Sequence, residues 1–359
     1  MSVRYLGAIG MSGVVAALGI LALAPVSGQQ AAAKPDAAAP ARRSAYKAPR
    51  LANGQPDLQG VWANNNVTPL QRPKELGERQ YLTNEEMTRL KSRAEALFAG
   101  DGDAAFGDEI FAAALSDRTK YVADSFDKDT GNYNSYWLVG RVFDNRTSLI
   151  IDPPDGRKPP MTAAAAKRVA DLEAARKLRG FVADSHEDRP LSERCITFGM
   201  PDTFAGYNSY FQLTQSDNWV AITNERIHDT RMVPLDGRPH VSKDVRLMNG
   251  DSRGRWEGDT LVVDTTNFTE KSGSQGSSEN LHMIERFTRT AADTVQYQVT
   301  LEDPTVWTKP WTFMIPLKFT TDKIYEYACH EGNTGLFGVL GGARAQERAA
   351  AGAPAANAK

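Results

Sequence analysis

Basic stripes are missing from this sequence. Its charges nearly balance, to a net of −2, with no run or face of Lys and Arg. The electrostatic footprint of a nucleic-acid binder is therefore absent. Long apolar runs are missing as well. The one strongly apolar stretch, about Val14 to Leu23, is too short for a comfortable bilayer crossing, and no later stretch qualifies. Familiar cofactor and catalytic signatures are absent: there is no G-x-G-x-x-G, no G-x-x-x-x-G-K-[ST], no H-E-x-x-H and no G-x-S-x-G. His330-Glu331 lacks the second histidine that a zinc-binding helix needs. Strand and helix patterns do not alternate, which excludes a nucleotide-binding doubly wound sheet. Cysteine and histidine are scarce, at two and five residues.

What is present begins with an export pattern. Arg4, the apolar run and the small residues Ala24-Pro25-Val26-Ser27-Gly28 together describe a secretory signal peptide over residues 1–28. The alternative is an N-terminal membrane anchor. No cysteine lies near the cleavage region, which argues against a lipid-modified terminus. Residues 29–50 are rich in Ala, Pro, Gln and Lys without hydrophobic periodicity, and are expected to be a disordered linker. The Ala-rich residues 343–359 are expected to be a disordered tail. The folded part is then 51–342, read as a single domain, and the mature protein is expected in the periplasm or outside the cell with no stable membrane span. In that oxidising setting two cysteines favour a Cys195–Cys329 disulfide over two free buried thiols, and a catalytic cysteine would be threatened.

Helices are expected as an insertion over about residues 80–180. Thr83-Asn84-Glu85-Glu86 precedes Met87, Leu90, Ala94, Leu97 and Phe98, apolar positions three or four apart, which predicts a helix ending near Gly100. A second helix is predicted from Thr162 to Leu178, with a basic end that suits its dipole. Tyr136–Phe143 and Thr147–Ile151 read as a strand pair. From Tyr207 onward the period changes to two. Val295, Tyr297, Val299 and Leu301 alternate with polar residues, and so do Trp311, Phe313, Ile315, Leu317 and Phe319, as in a sheet with one buried face. Further strands are predicted at Tyr210–Thr214, Trp219–Ile227, Thr230–Val233, Thr260–Thr265 and Leu281–Thr290. Short antiparallel strands at this spacing indicate a barrel or sandwich.

"DLQGVW", residues 57–62, places Gly60 and Trp62 on a first strand. This Gly-x-Trp, followed by an up-and-down strand series, resembles the opening of the lipocalin-like (calycin) barrels, in which the Trp closes one barrel end. The intervening helical segment departs from ordinary lipocalins. A second resemblance spans about residues 55–345. "NRTSLIIDPPDGRKPP", "VPLDGRPHV", "GDSRGRWEGDTLVVDTTNF", "ENLHMIERFTR", "DPTVWTKPWT" and "YEYACHEGN" look like segments of a large group of exported bacterial proteins, mostly without assigned activity. That resemblance implies export and a shared fold, and it brings no established catalytic residues with it.

Chemistry is therefore sought among the histidines. His228, His282 and His330 lie on or beside predicted strands with acids close by: Glu225 and Asp229, Glu279 and Glu285, and Glu331. A histidine oriented by a carboxylate is a natural general acid or base. The alternative is that each is a hydrogen-bonded structural residue. A metal held by His228, His282 and His330 is a further alternative, although nothing in their spacing demands it. Arg231 follows Asp229 by two positions, so an Asp–Arg pair could orient an anionic or hydroxylated substrate. "NYNSYWL" and "FAGYNSYFQL" share a Tyr-Asn-Ser-Tyr core that suits either a pocket wall or simple packing.

The expected molecule is mainly β: an antiparallel lipocalin-like barrel with N-terminal helical decorations. The expected function is cofactor-independent acid–base chemistry on a small organic molecule, of lyase, isomerase or hydrolase type. His228 and His330 would move protons, and Asp229 and Glu331 would orient them. Tyr207, Asn208, Arg231, His282 and Glu285 would bind substrate. The alternative is a carrier of a small hydrophobic ligand without turnover. The sequence leaves oligomeric state open and points to a small molecule as the partner.

Overall fold

The computed structural model describes residues 46–97, 111, 141–179, 183–203, 205–206, 208–272, 275–277 and 279–352. Its centre is one antiparallel sheet of ten strands: β1 (Gly60–Ala63), β2 (Ile150–Asp152), β3 (Tyr210–Gln215), β4 (Trp219–Asn224), β5 (Thr230–Pro234), β6 (Asp251–Glu257), β7 (Thr260–Thr266), β8 (His282–Ala291), β9 (Thr294–Glu302) and β10 (Trp311–Thr320). Their order is β5-β4-β3-β1-β10-β9-β8-β7-β6, with β2 also pairing with β10. From β3 to β5 and from β6 to β10, consecutive strands are neighbours. The long-range step is β1, which sits between β3 and β10 and so joins the two runs.

The period-two pattern does the positioning. Val295, Tyr297, Val299 and Leu301 of β9 and Trp311, Phe313, Ile315 and Leu317 of β10 are all fully or almost fully buried. Met283, Glu285 and Phe287 of β8 share their face. Pro316 interrupts neither ladder. It lies between the register of β2 at Thr312–Phe313 and that of β1 at Lys318–Thr320. Proline is tolerated where no partner needs its missing N–H.

The sheet bends until its edge strands meet through side chains, but it does not close. Gly254 on β6 faces β5 so tightly that a Cβ there would stand 2.8 Å from Val233 Cγ1 and 2.6 Å from Leu235 Cδ2. These side chains fill the space where a ladder would need two backbones about 4.8 Å apart. Among the described residues no ladder joins β5 and β6, so the mainly β, antiparallel expectation holds, the ten-stranded sheet is not closed, and the expected barrel is not confirmed. Trp62 is fully buried on β1. Its Nε1 donates to Leu58 O, Phe319 meets it edge-on, and the Arg289 guanidinium lies over its ring. Gly60, at φ +127°, is required there, since a Cβ would stand 2.9 Å from the Phe319 ring.

Three α-helices accompany the sheet among the described residues: α1 (Asn84–Leu97), α2 (Ala163–Arg179) and α3 (Thr334–Ala350). Thr83 and Glu86 form a reciprocal cap at the start of α1, with Glu86 N donating to Thr83 Oγ1 and Thr83 N to Glu86 Oε2. Leu90 of α1 packs with Val67, Leu82 and Phe111 in a small second core. The disordered tail expected from residue 343 is corrected: residues 343–350 continue α3. Alanine is the strongest helix former. Arg344 anchors the helix through Ala183 O and Asp184 O, and is itself held by Glu347 one turn along. The predicted signal peptide lies outside the described residues, as do Tyr136 to Gly140 of the expected strand pair. Among the described residues no helix is long and apolar enough to cross a membrane.

Candidate functional site

Among the described residues the β4–β5 connection is the one where two consecutive non-glycine residues take positive φ. After Asn224 the chain runs Glu225-Arg226-Ile227-His228-Asp229 into β5, and Ile227 and His228 take left-handed conformations at φ +54° and +46°. Left-handed isoleucine is an outlier, because its branched Cβ crowds the following carbonyl. Each such residue costs about 1–3 kcal/mol and persists only where its surroundings hold it. They do so here. Ile227 is buried, and Glu225 and Arg226 are 1% exposed. Arg226 is ion-paired with Asp202 and packs on the Phe198 ring. Backbone hydrogen bonds from Asn224 N to Asp229 O, Glu225 N to Tyr210 O and His228 N to Glu225 O fix the turn. His228 sits exposed at its apex.

Two carboxylates flank this turn. Asp229 accepts from Thr197 Oγ1 at 2.6 Å and from Asn249 Nδ2 at 3.1 Å. Burial pushes its pKa up, with Asp202 adding to the rise while those two donors and His228 oppose it. Glu225 Oε1 accepts from Tyr325 N at 3.2 Å, while Oε2 is buried without a hydrogen bond of good geometry among the described residues. Burial raises the Glu225 pKa too, with the Tyr325 N–H, Asn208 and Arg226 acting the other way. Both groups keep a proton to higher pH than ordinary carboxylates, the property a proton-transfer group at neutral pH needs.

Aromatic residues lie on the two segments that contact these acids, next to Thr197 and around Tyr325. Phe198 and Tyr327 meet edge to face with centroids 6.3 Å apart, and Phe198 and Tyr325 are partly exposed. The Cys195–Cys329 disulfide joins the two segments that carry them. Asn333 Nδ2 also reaches Cys195 Sγ and Glu193 O. The expected pairing of the cysteines is thus present, and it holds these segments together.

The other predicted site residues are distributed unevenly. Asn208, left-handed at φ +46°, lies beside Glu225. Tyr207 lies outside the described residues. His330 and Glu331 are exposed just past the disulfide. The Asp229 carboxylate takes its hydrogen bonds from Thr197 and Asn249, where sequence reasoning had it orient His228. Arg231 and Glu285 do come together, but inside the sheet. Arg231 Nη1 and Nη2 reach Glu285 Oε2 and Oε1 at 2.6 and 2.8 Å, and Tyr297 Oη donates to Oε1 at 2.6 Å. The expected Asp229–Arg231 pair is therefore replaced by Arg231–Glu285, which is buried and occupied on both sides.

His282, expected with Glu285 in one pocket, lies on the opposite face. The two are three residues apart on β8, and odd spacing sends side chains to opposite sides of a strand. His282 meets Asp264 and Glu302 instead. Among the described residues no group of three or more His, Cys, Asp or Glu side chains is arranged to hold a metal ion, so His228, His282 and His330 do not converge. Sequence reasoning missed Thr197, Phe198, Asp202, Arg226 and Asn249, which come from a loop with no periodicity, a turn and the distant β5–β6 connection. Comparison with protein-family models, curated proteins and solved structures finds no match for this chain.

Proposed function

We propose that this is an exported enzyme that moves a proton on a small, ring-bearing or hydroxylated organic molecule, in a reaction of lyase, isomerase or hydrolase type. The observation that carries the proposal is the strained Ile227-His228 turn held between two carboxylates of raised pKa, the buried Glu225 and the partly buried Asp229. Strain of this kind clusters at functional sites. In this reading Asp229 and Glu225 supply and accept protons, His228 presents its imidazole to the substrate, and Phe198, Tyr325 and Tyr327 receive the ring. The signal-peptide pattern and the disulfide support an oxidising, exported location.

The sheet interior gives less support to a carrier. It is filled by its own rings: Phe287 stacks on Tyr297 at 4.6 Å, Phe211 lies 5.8 Å from Tyr297, and the Arg231–Glu285–Tyr297 cluster occupies the same face.

The test is a turnover screen of hydroxylated and aromatic esters, lactones and hydroxy acids with the mature protein, followed by His228→Ala, Asp229→Asn and Glu225→Gln. A substrate is expected to emerge whose turnover falls about 10²–10⁴-fold in the variants, with unchanged near-ultraviolet circular dichroism. Unchanged turnover in all three variants would sink the assignment. Tight binding of a hydrophobic ligand without turnover would favour the carrier.

A further inference from the structure

Away from the turn, five ionisable side chains alternate along the outer side of β6–β9. His240, in the β5–β6 connection, sets Nδ1 2.8 Å from Asp251 Oδ2 and Nε2 3.3 Å from Asp264 Oδ1. His282 sets Nε2 3.0 Å from the same Asp264 oxygen and Nδ1 3.5 Å from Glu302 Oε2. The order is Asp251, His240, Asp264, His282, Glu302: carboxylate and imidazole in turn. A neutral imidazole owns one N–H, and an ionised carboxylate only accepts. Both rings meet carboxylate oxygens at both nitrogens. A neutral ring therefore leaves one contact as lone pair against anion, whereas a doubly protonated ring makes both as charge-assisted hydrogen bonds.

A loop hangs from this chain. Asp251 Oδ2 also accepts from Val241 N at 3.1 Å. Arg253 Nη1 holds Asp251 Oδ1 at 2.6 Å while its Nε holds Pro239 O at 2.9 Å. Asn267 Nδ2 donates to Val241 O and Ser242 O. These contacts draw residues 239–242 onto β6 and the end of β7. The same connection spans the seam between β5 and β6 that no ladder closes.

We propose that these residues form a proton-operated latch. With His282 doubly protonated, Asp264 is held in place beside His240 and the β5–β6 connection is clamped to the sheet; loss of the His282 ring proton weakens this clamp and loosens the seam, while the Val241, Pro239 and Asn267 hydrogen bonds remain. The charged groups facing the rings are Asp251 and Arg253 from β6, Asp264 from β7 and Glu302 from β9. Asp264 and Glu302 favour the cationic His282 ring. The direction for His282 agrees: its hydrogen bond to Asp264 raises its pKa, against the opposing effect of burial. A group raised in this way contributes fully below the ordinary histidine pKa of about 6.5, and its contribution is lost as pH rises through the folded-state value.

The test is amide hydrogen exchange of the full chain between about pH 5.5 and about pH 8.5, corrected for intrinsic rates. Exchange over residues 236–249 should step up by about tenfold or more across that range, while the amides of β9 and β10 stay protected. His240→Gln, His282→Gln and Asp264→Asn should each abolish the step, with the β9–β10 protection serving as the control for folding. A wild-type loop whose corrected exchange does not change with pH overturns the latch, and so does a step that survives in all three variants. A clamp that forms only with added Zn²⁺ and vanishes with a chelator would overturn it in favour of a metal site.

Discussion

Asp229, at the turn before β5, and Asp264, on the outer side of β7, are both partly buried, yet their pKa values move in opposite directions. Asp229 is raised because burial outweighs two neutral donors, Thr197 and Asn249. Asp264 is lowered because hydrogen bonds from His282 and His240, with their charges, outweigh burial. Burial is common to both, so the partner decides. A neutral donor stabilises a carboxylate less than a cation does, and cannot offset the same loss of water. One aspartate keeps its proton to higher pH than usual, and the other is held as an anion to lower pH than usual.

The contrast can be broken from the inside first. Glu285 is fully buried with Arg231 and Tyr297. Glu285→Ala strands an arginine in the core and should cost about 3–5 kcal/mol, read by urea unfolding. A loss near zero would mean that water or repacking reaches Arg231. Cutting the disulfide comes next. The bond closes a 134-residue separation, and Cys195→Ser with Cys329→Ser should cost about 2–5 kcal/mol, with the segments around Phe198 and Tyr327 becoming protease-sensitive before the sheet does.

Asp229→Asn sharpens the comparison directly. A raised carboxylate is protonated more readily in the folded than in the unfolded state. Stability therefore falls as pH rises from the ordinary aspartate value of about 3.9 through the folded one. The variant should lose that fall and be on the order of 1 kcal/mol more stable, relative to wild type, at neutral than at acid pH. Unfolding curves at several pH values decide it, and a parallel pH dependence in the two proteins would refute the burial of the charge.

His228→Gly removes an exposed side chain from a left-handed position, so it should raise stability by about 1 kcal/mol in thermal unfolding; under the proposed function it should also reduce turnover. The smallest effect is expected from Asp264→Asn, about 0.5–1 kcal/mol for a partly exposed pair. Its sign is opposite to that of Asp229→Asn. Asp264 stabilises above the ordinary aspartate pKa, and the His282 contact is lost as pH rises through the folded histidine value. The deficit should therefore be largest between about pH 4 and about pH 6.5, and its persistence unchanged at alkaline pH would argue against a histidine partner.

The strands were legible because alternation is local. Each of Val295, Tyr297, Val299 and Leu301 needs only its neighbours two positions away to declare a buried face. The same rule separates His282 from Glu285, since a spacing of three on one strand cannot serve one pocket. The helix of residues 343–350 was misread because an alanine-rich run looks like low complexity until an anchor such as Arg344 is seen to hold it. The candidate site was legible in part. His228, Asp229 and Asn208 stood out by residue type, and Glu225 by proximity. Their handedness did not, because no sequence rule places isoleucine at positive φ.

What the sequence determined by itself was the mainly β, antiparallel character, the positions of most strands and the cysteine pair that an oxidising compartment would join. These follow from short-range periodicity and simple counting. The tertiary structure alone decided that the sheet stays open beside Gly254, that Arg231 finds Glu285 rather than Asp229, and that Thr197, Asn249 and Tyr325 gather around the turn. Those outcomes depend on which residues far apart in the chain are brought within hydrogen-bonding distance. They also depend on how much water each charge loses on the way, and neither is written in the order of neighbouring residues.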